Sequence, residues 1–171
     1  MATAQVDAAA EPLASIRDVI DAMDEAYARL AKALGRVDTL PEDGDGGKGD
    51  GSGWGVRRVL SHIIGAWQRV PVHAAYYLAA KEGEAPIVPI QVNDDYWIPE
   101  WEIAPIEAFR AALRAAYLGN LHFVAELEPG ALAKVGDTPF GAWNLGNLLM
   151  VSYGGHIGTV HAAQLERLLL R

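Results

Sequence analysis

The chain has 171 residues and not one cysteine. That absence excludes disulfides, thiolate metal ligands and a cysteine nucleophile, and it leaves the compartment open. Basic residues are few and scattered: 14 Lys and Arg stand against 22 Asp and Glu, for a net charge of −8. The arginines occur singly or in one pair, Arg57-Arg58. Phosphate binding draws on clustered Lys and Arg, and no basic recognition helix is visible, so the expectation is no nucleic-acid partner. Long hydrophobic runs are also missing. The most apolar stretch, around 145–165, is broken by Asn147, Ser152, two histidines and several glycines, so no membrane span or membrane partner is expected. Residues 1–14 carry Asp7 and Glu11 and have neither a basic start nor an apolar core, unlike a secretory signal. A soluble, cytoplasmic protein is the expectation.

Half of the residues, 51%, are hydrophobic, enough for a sizeable core in one domain spanning 1–171. Their spacing is helical. Ile16, Ile20, Met23, Tyr27, Leu30 and Leu34 recur in steps of three and four, which predicts a first helix from Glu11-Pro12 to Gly35. Residues 37–53 are dominated by Gly and Asp and read as a flexible loop, as do residues 1–10. The loop's spaced acids do not make a calcium loop, because the closing Glu is missing. A second helix follows from Trp54 to Glu82, with Val56, Leu60, Ile63, Ile64, Trp67 and Val70 inward and Ser52 or Gly53 as its cap. Pro71 should kink or divide it. Residues 83–104 form a long connection whose Tyr96, Trp97 and Trp101 are expected to pack over the helices. A third helix starts at Pro105, continues through Ile106, Phe109, Leu113, Tyr117, Val124 and Leu127, and ends at Pro129-Gly130. After a short turn, Asn144 caps a fourth helix that runs to Leu170 and is expected to be the most buried. With no repeat and no strand pattern of comparable quality, an all-α four-helix bundle is the economical architecture.

The chemistry-bearing residues are the histidines. Neutral imidazole ligates zinc, nickel and iron, and bundles place metals between facing helices. His62 lies among the apolar residues of helix two, as a core residue or a ligand. His73 falls eleven residues later, about 16 Å along the axis, too far to share its metal. His122 reads as a rim residue. His156 and His161 lie five apart on helix four. Two ligands on one face of a regular helix want a spacing of four; five turns them about 140° from one another. Gly154, Gly155 and Gly158 weaken the regular helix here. A local π-helical widening, common at functional sites, would return both imidazoles to one side. A regular ladder through 152–161 would exclude it.

These residues together resemble the DinB-like family. Trp54-Gly55-Val56-Arg57-Arg58-Val59-Leu60-Ser61-His62-Ile63-Ile64 is similar to its helix two signature, Thr138-Pro139-Phe140-Gly141-Ala142-Trp143-Asn144-Leu145 to its entry into helix four, and His161-Ala162-Ala163-Gln164-Leu165 to its His-x-x-Gln end. Asn93-Asp94 in the long connection adds to the likeness. The resemblance implies an up-down-down-up four-helix bundle, often a homodimer, and the long connections after helices one and two, 37–53 and 83–104, allow that topology. It also implies a divalent metal held by one histidine of helix two and two of helix four spaced by four. Relatives include thiol-dependent transferases and isomerases, and hydrolase-like detoxifying or self-resistance proteins. This chain departs from that spacing. Carrying the pattern over gives His62 and His161, and the middle position is then Ile157; if His156 is the last ligand, its partner position is Ser152. A third histidine enters only through the widened helix. Two readings follow. One is a metal-dependent enzyme, using His62, His156 and His161 on a small organic molecule by hydrolysis or thiol transfer, with Tyr153 or a carboxylate to move protons. The other is a non-catalytic bundle that has lost its metal triad and serves as a small-ligand-binding or dimeric interaction protein.

Overall fold

The computed structural model describes residues 14–40, 53–90 and 103–169. The expected helix start at Glu11-Pro12, the flexible 1–10, most of the Gly/Asp loop, Asn93-Asp94 and the aromatics Tyr96, Trp97 and Trp101 lie outside them. Helix α1 runs Ile16–Leu34. Ser15 caps it: its Oγ accepts from the Asp18 amide, and its own amide donates to the Asp18 carboxylate, a closed capping box. Helix α2 runs Val56–Ala79 from a Gly55 cap, two residues beyond the expected Gly53. Helix α3 runs Ile106–Ala125. The last helix has three stretches: Leu145–Met150 is α-helical, Val151–His161 is π-helical and Ala162–Leu169 is α-helical again. The backbone stays helical through both junctions, and the whole, 145–169, is called α4. Asn144 caps it as expected, accepting from the Asn147 amide at 2.7 Å.

The directions of the helices follow from which side chains meet. Along α1 and α4, Ala22 faces Gly154, Ala26 faces Gly158 and Arg29 faces Glu166, so the numbers rise together and the two are parallel. Between α1 and α3, Tyr27 stacks on Tyr117 while Arg110 reaches the carbonyls of Leu34 and Val37; these are antiparallel. Between α2 and α4, Trp67 meets Tyr153 and Trp54 meets His161, again antiparallel. The order is therefore up-down-down-up. Each of α1 and α2 packs against both α3 and α4. The core contains Met23 and Leu30 of α1, Leu60, Ile63, Ile64 and Trp67 of α2, Phe109 and Leu113 of α3, and Leu145, Tyr153 and Leu165 of α4. Among the described residues no helix is long and apolar enough to cross a membrane.

Three expectations are corrected. Pro71 does not divide α2, which is one helix across it. The carbonyl that Pro71 cannot bond, on Trp67 one turn back, accepts instead from Asn120 Nδ2 at 2.9 Å. The turn before α4 is a β-hairpin. Strand β1, Val135–Thr138, pairs antiparallel with β2, Gly141–Asn144, in the register Val135↔Asn144 to Thr138↔Gly141. It sits outside the helical core and ties down the long connection: Val88 donates to Asp137 O and Asp137 donates to Pro86 O, both at 2.8 Å. Gly136 permits this, because a Cβ there would lie 2.9 Å from Tyr77 Cε1 and 3.1 Å from Pro86 O. Finally, α4 is not the most buried helix; Val151 and Val160 are exposed on it, and α2 buries more of its residues. Of the loop expected over 37–53, the described part is anchored, with Leu40 buried and the carbonyl of Val37 held by Arg110.

Candidate metal centre

Helix α2 carries His62 in its first half, on the side that faces α4. There the π-helical stretch spans Val151–His161 and closes with the Ala162 amide bonded to the carbonyl of Ile157, five residues back. In such a ladder residues five apart come to one side. His156 and His161 are therefore brought together, which a regular helix would not do. His156 Nε2 lies 3.0 Å from His161 Nε2 and 3.4 Å from His62 Nε2. Among the described residues these three form one group able to hold a metal ion, with one nitrogen of each within 4.8 Å of the others. A tetrahedral ion with bonds of about 2.0–2.1 Å holds its ligand nitrogens about 3.3 Å apart, which the two separations about His156, 3.0 and 3.4 Å, match. His73 and His122 are not part of the group.

The neighbours of the cluster prepare its nitrogens. The Gln164 amide oxygen lies 2.9 Å from His161 Nδ1. An amide oxygen only accepts, so Nδ1 carries the proton and Nε2 presents a lone pair to the cluster. Burial pushes the His62 imidazole down to about 3, and the nearby His161, His156 and Arg58 add to the effect. Burial takes His161 down to about 4 against the opposing effect of its hydrogen bond to Gln164, and it lowers His156 as well. All three are neutral at pH 7, the state in which imidazole ligates metal. His161 is buried and His62 partly so, whereas His156 is exposed, so the cluster opens to solvent on the His156 side. Trp54 walls it. Its ring is 5.0 Å from that of His62 and stacks on that of His161 at 6.1 Å, and the Arg58 guanidinium lies over the indole, 5.1 Å from its centre.

Tyr153 does not serve as the proton carrier that the sequence suggested. It is fully buried, its hydroxyl donates to Asn120 Oδ1 at 2.7 Å, and burial drives its ionisation far upward. Sequence reasoning also missed Arg29, which grips both Glu166 and the carbonyl of Gly158 in the π-helical stretch. Those partners stand 137 and 129 positions away, and no local pattern links them.

No family model matches the chain, and no curated protein matches it. Solved structures do. The chain is similar to the colibactin self-resistance protein ClbS, solved in complex with a dsDNA, at 16% identity and TM-score 0.64, covering 95% of this chain and 99% of that one. It is similar to YfiT from Bacillus subtilis, a "probable metal-dependent hydrolase with an unusual four-helix bundle topology", at 19% identity and TM-score 0.60, covering 89% of this chain and 86% of that one. The ClbS complex corrects the expectation of no nucleic acid. A protein of this fold is seen with a duplex, and a whole-chain charge of −8 sums over a surface whose local potential, not its total, meets a phosphate. The chain has the DinB/YfiT-like four-helix-bundle fold.

Proposed function

We propose that this protein is a metal-dependent enzyme acting on a small organic molecule, of hydrolase or thiol-transferase type. In this reading a divalent ion (zinc, nickel or iron) is held by His62, His156 and His161. The observation that carries the reading is the convergence of the three Nε2 atoms, at 3.0 and 3.4 Å from the central His156. Three neutral protein ligands leave an ion with an open position, as in catalytic zinc sites, where it polarises a bound group and lowers the pKa of a coordinated water or thiol. The chain's own residues supply the rest. Gln164 holds His161 in the tautomer that ligates. Trp54 shields the two inner imidazoles and leaves the exposed His156 side for a ligand to enter. YfiT's description as a metal-dependent hydrolase favours hydrolysis over thiol transfer. The chain is further read as one domain and as a cytoplasmic homodimer. The exposed Val72 and Tyr76, one turn apart on α2, support an apolar contact between copies.

Elemental analysis tests the metal. After loading with zinc, nickel or ferrous iron and desalting, the wild-type chain is expected to retain about one ion per chain, and His62→Ala a small fraction of that. A wild-type chain that keeps none of the three ions overturns the reading in favour of a non-catalytic bundle. For a chain that does bind metal, hydrolysis of model esters and amides, compared with transfer of a small thiol to an electrophile, decides the reaction class.

A further inference from the structure

The ladder of α4 changes step where its π-helical stretch ends. The Ala162 amide reaches back five residues to Ile157, and from Ala162 the helix is α-helical with a step of four. A change from five to four passes over one carbonyl, and Gly158 is the residue next in line. Its carbonyl accepts from Arg29 Nη1 at 2.9 Å. Two further guanidinium donors are fixed by Glu166, with Nε on Oε1 and Nη2 on Oε2, both at 2.7 Å, a two-pronged pair that sets the plane of the group. Beside it α1 offers a face made for the widened turn. A Cβ on Gly154 would come within 3.2 Å of Ala22, and one on Gly158 within 3.0 Å of Ala26 and 3.1 Å of the Tyr153 carbonyl.

We propose that Arg29 is a positioning residue for the candidate metal centre: by taking the carbonyl passed over at Gly158 it holds the π-helical register that sets His156 beside His161. Without it, that carbonyl loses its partner and the stretch is free to relax toward the α step, which swings the two imidazoles apart. The proposal rests on the metal reading for its affinity arm alone, because the register itself is a property of the metal-free chain.

Arg29→Met in the full chain is the first test, read by cobalt or zinc titration against a chelator. The variant is expected to bind about 10–100-fold more weakly, and Arg29→Lys, which keeps one donor, to fall between. The decisive comparison uses deletion of Gly158. That deletion places the two histidines four apart and removes the step change, so it should bind metal on its own and be insensitive to Arg29→Met. Equal losses from Arg29→Met in both backgrounds would reveal a general structural role and overturn the proposal, as would no loss in either. Hydrogen exchange of the metal-free chain separates the two readings. Arg29→Met should speed exchange at amides 154–163 more than about tenfold and leave α3 unchanged. If the wild type binds no metal, the metal reading falls, and this exchange result alone upholds or overturns the role of Arg29. Should Arg29→Met fail to fold, Glu166→Gln, which releases the guanidinium, is expected to show the same local exchange and a smaller loss of affinity.

Discussion

Asn120 on α3 donates to the carbonyl of Trp67 on α2 across 2.9 Å, the carbonyl that Pro71 leaves without a helical partner. The same Nδ2 donates to Ala116 O at 2.8 Å, and Oδ1 accepts from the Tyr153 hydroxyl at 2.7 Å. One amide thus satisfies a defect in α2 and a buried phenol at the start of the π-helical stretch. Asn120→Ala leaves both groups buried without a partner. A cost of about 2–4 kcal/mol follows, at about 1–3 kcal/mol for each orphaned group less some relaxation, which lowers the thermal midpoint by roughly 5–12 °C. Pro71→Ala restores a donor for Trp67 O and should recover part of that loss in the Asn120→Ala background only. Urea melts of the four chains check this. A loss under about 0.5 kcal/mol for Asn120→Ala would show that the amide is dispensable.

The histidine cluster sets a pH dependence. The ordinary imidazole value is 6.5, and burial holds His62 at about 3 and His161 at about 4 in the folded chain. His156 and His73 are lowered too, the latter by burial and by Arg69. Between the folded and unfolded values the unfolded chain binds more protons. Stability is therefore complete above about pH 6.5 and is lost as pH falls from 6.5 toward about 4 for His161 and about 3 for His62, with a limiting slope of about 1.4 kcal/mol per pH unit for each histidine. For the metal-free chain, urea midpoints at pH 7.5, 6.0 and 5.0 should decline in that order, and His62→Gln should flatten the decline. Equal midpoints across that range would contradict the buried neutral cluster.

What the sequence disclosed depended on the range of each interaction. The inward residues of α2 are legible because helical spacing alone selects Val56, Leu60, Ile63, Ile64, Trp67 and Val70, and all six are buried. The spacing of His156 and His161, together with three nearby glycines, points to the widened turn that Val151–His161 adopts. The stripe on α1 is only partly right. Val19, Ala26 and Ala33 are buried where Ile16, Ile20 and Tyr27 are only partly so; at Ala26 the close approach of Gly158 on α4 calls for a small residue, which a hydrophobic pattern underweights. The fate of Pro71 was hidden since its compensation comes from Asn120, 53 positions from Trp67. The hairpin escaped notice because its strands are four residues each and the buried position of β1 is Gly136, with Val135 exposed beside it, so no hydrophobic alternation marks them.

Gly136 is the point at which the hairpin touches the bundle. A Cβ there meets Tyr77 Cε1 at 2.9 Å, Val88 Cγ2 at 3.0 Å and Pro86 O at 3.1 Å. Two of these neighbours are a fully buried ring and a backbone carbonyl paired to Asp137, neither of which moves freely. Gly136→Ala is expected to destabilise by about 1–3 kcal/mol, as overpacking does. Gly141→Ala at the hairpin tip acts differently. No neighbour crowds it, and its φ of +112° supplies the whole strain. Comparing the two by thermal melts, with hydrogen exchange at Val88 and Asp137, should show lost protection of the bridge for Gly136→Ala. Unchanged protection there would mean that the contact yields without cost.

Gln164 gives the sharpest test of how the imidazoles are prepared. Its oxygen fixes the proton of His161 on Nδ1, 2.9 Å away, and so leaves Nε2 free to ligate. Gln164→Leu removes the acceptor with little change of volume; the ring can then place its proton on Nε2 and must lose it to bind an ion. Metal affinity should fall about 10–100-fold, the usual effect of losing such a partner. Gln164→Glu keeps an acceptor at the same reach and adds negative charge, which makes the imidazole a better donor to a cation. That variant should bind at least as tightly as the wild type. Chelator competition with cobalt ranks the three chains, and the visible spectrum of the cobalt form reports whether the ligand set is intact. Equal weakening by Leu and Glu would mean that the side chain acts through packing, since only the acceptor distinguishes them in the direction predicted.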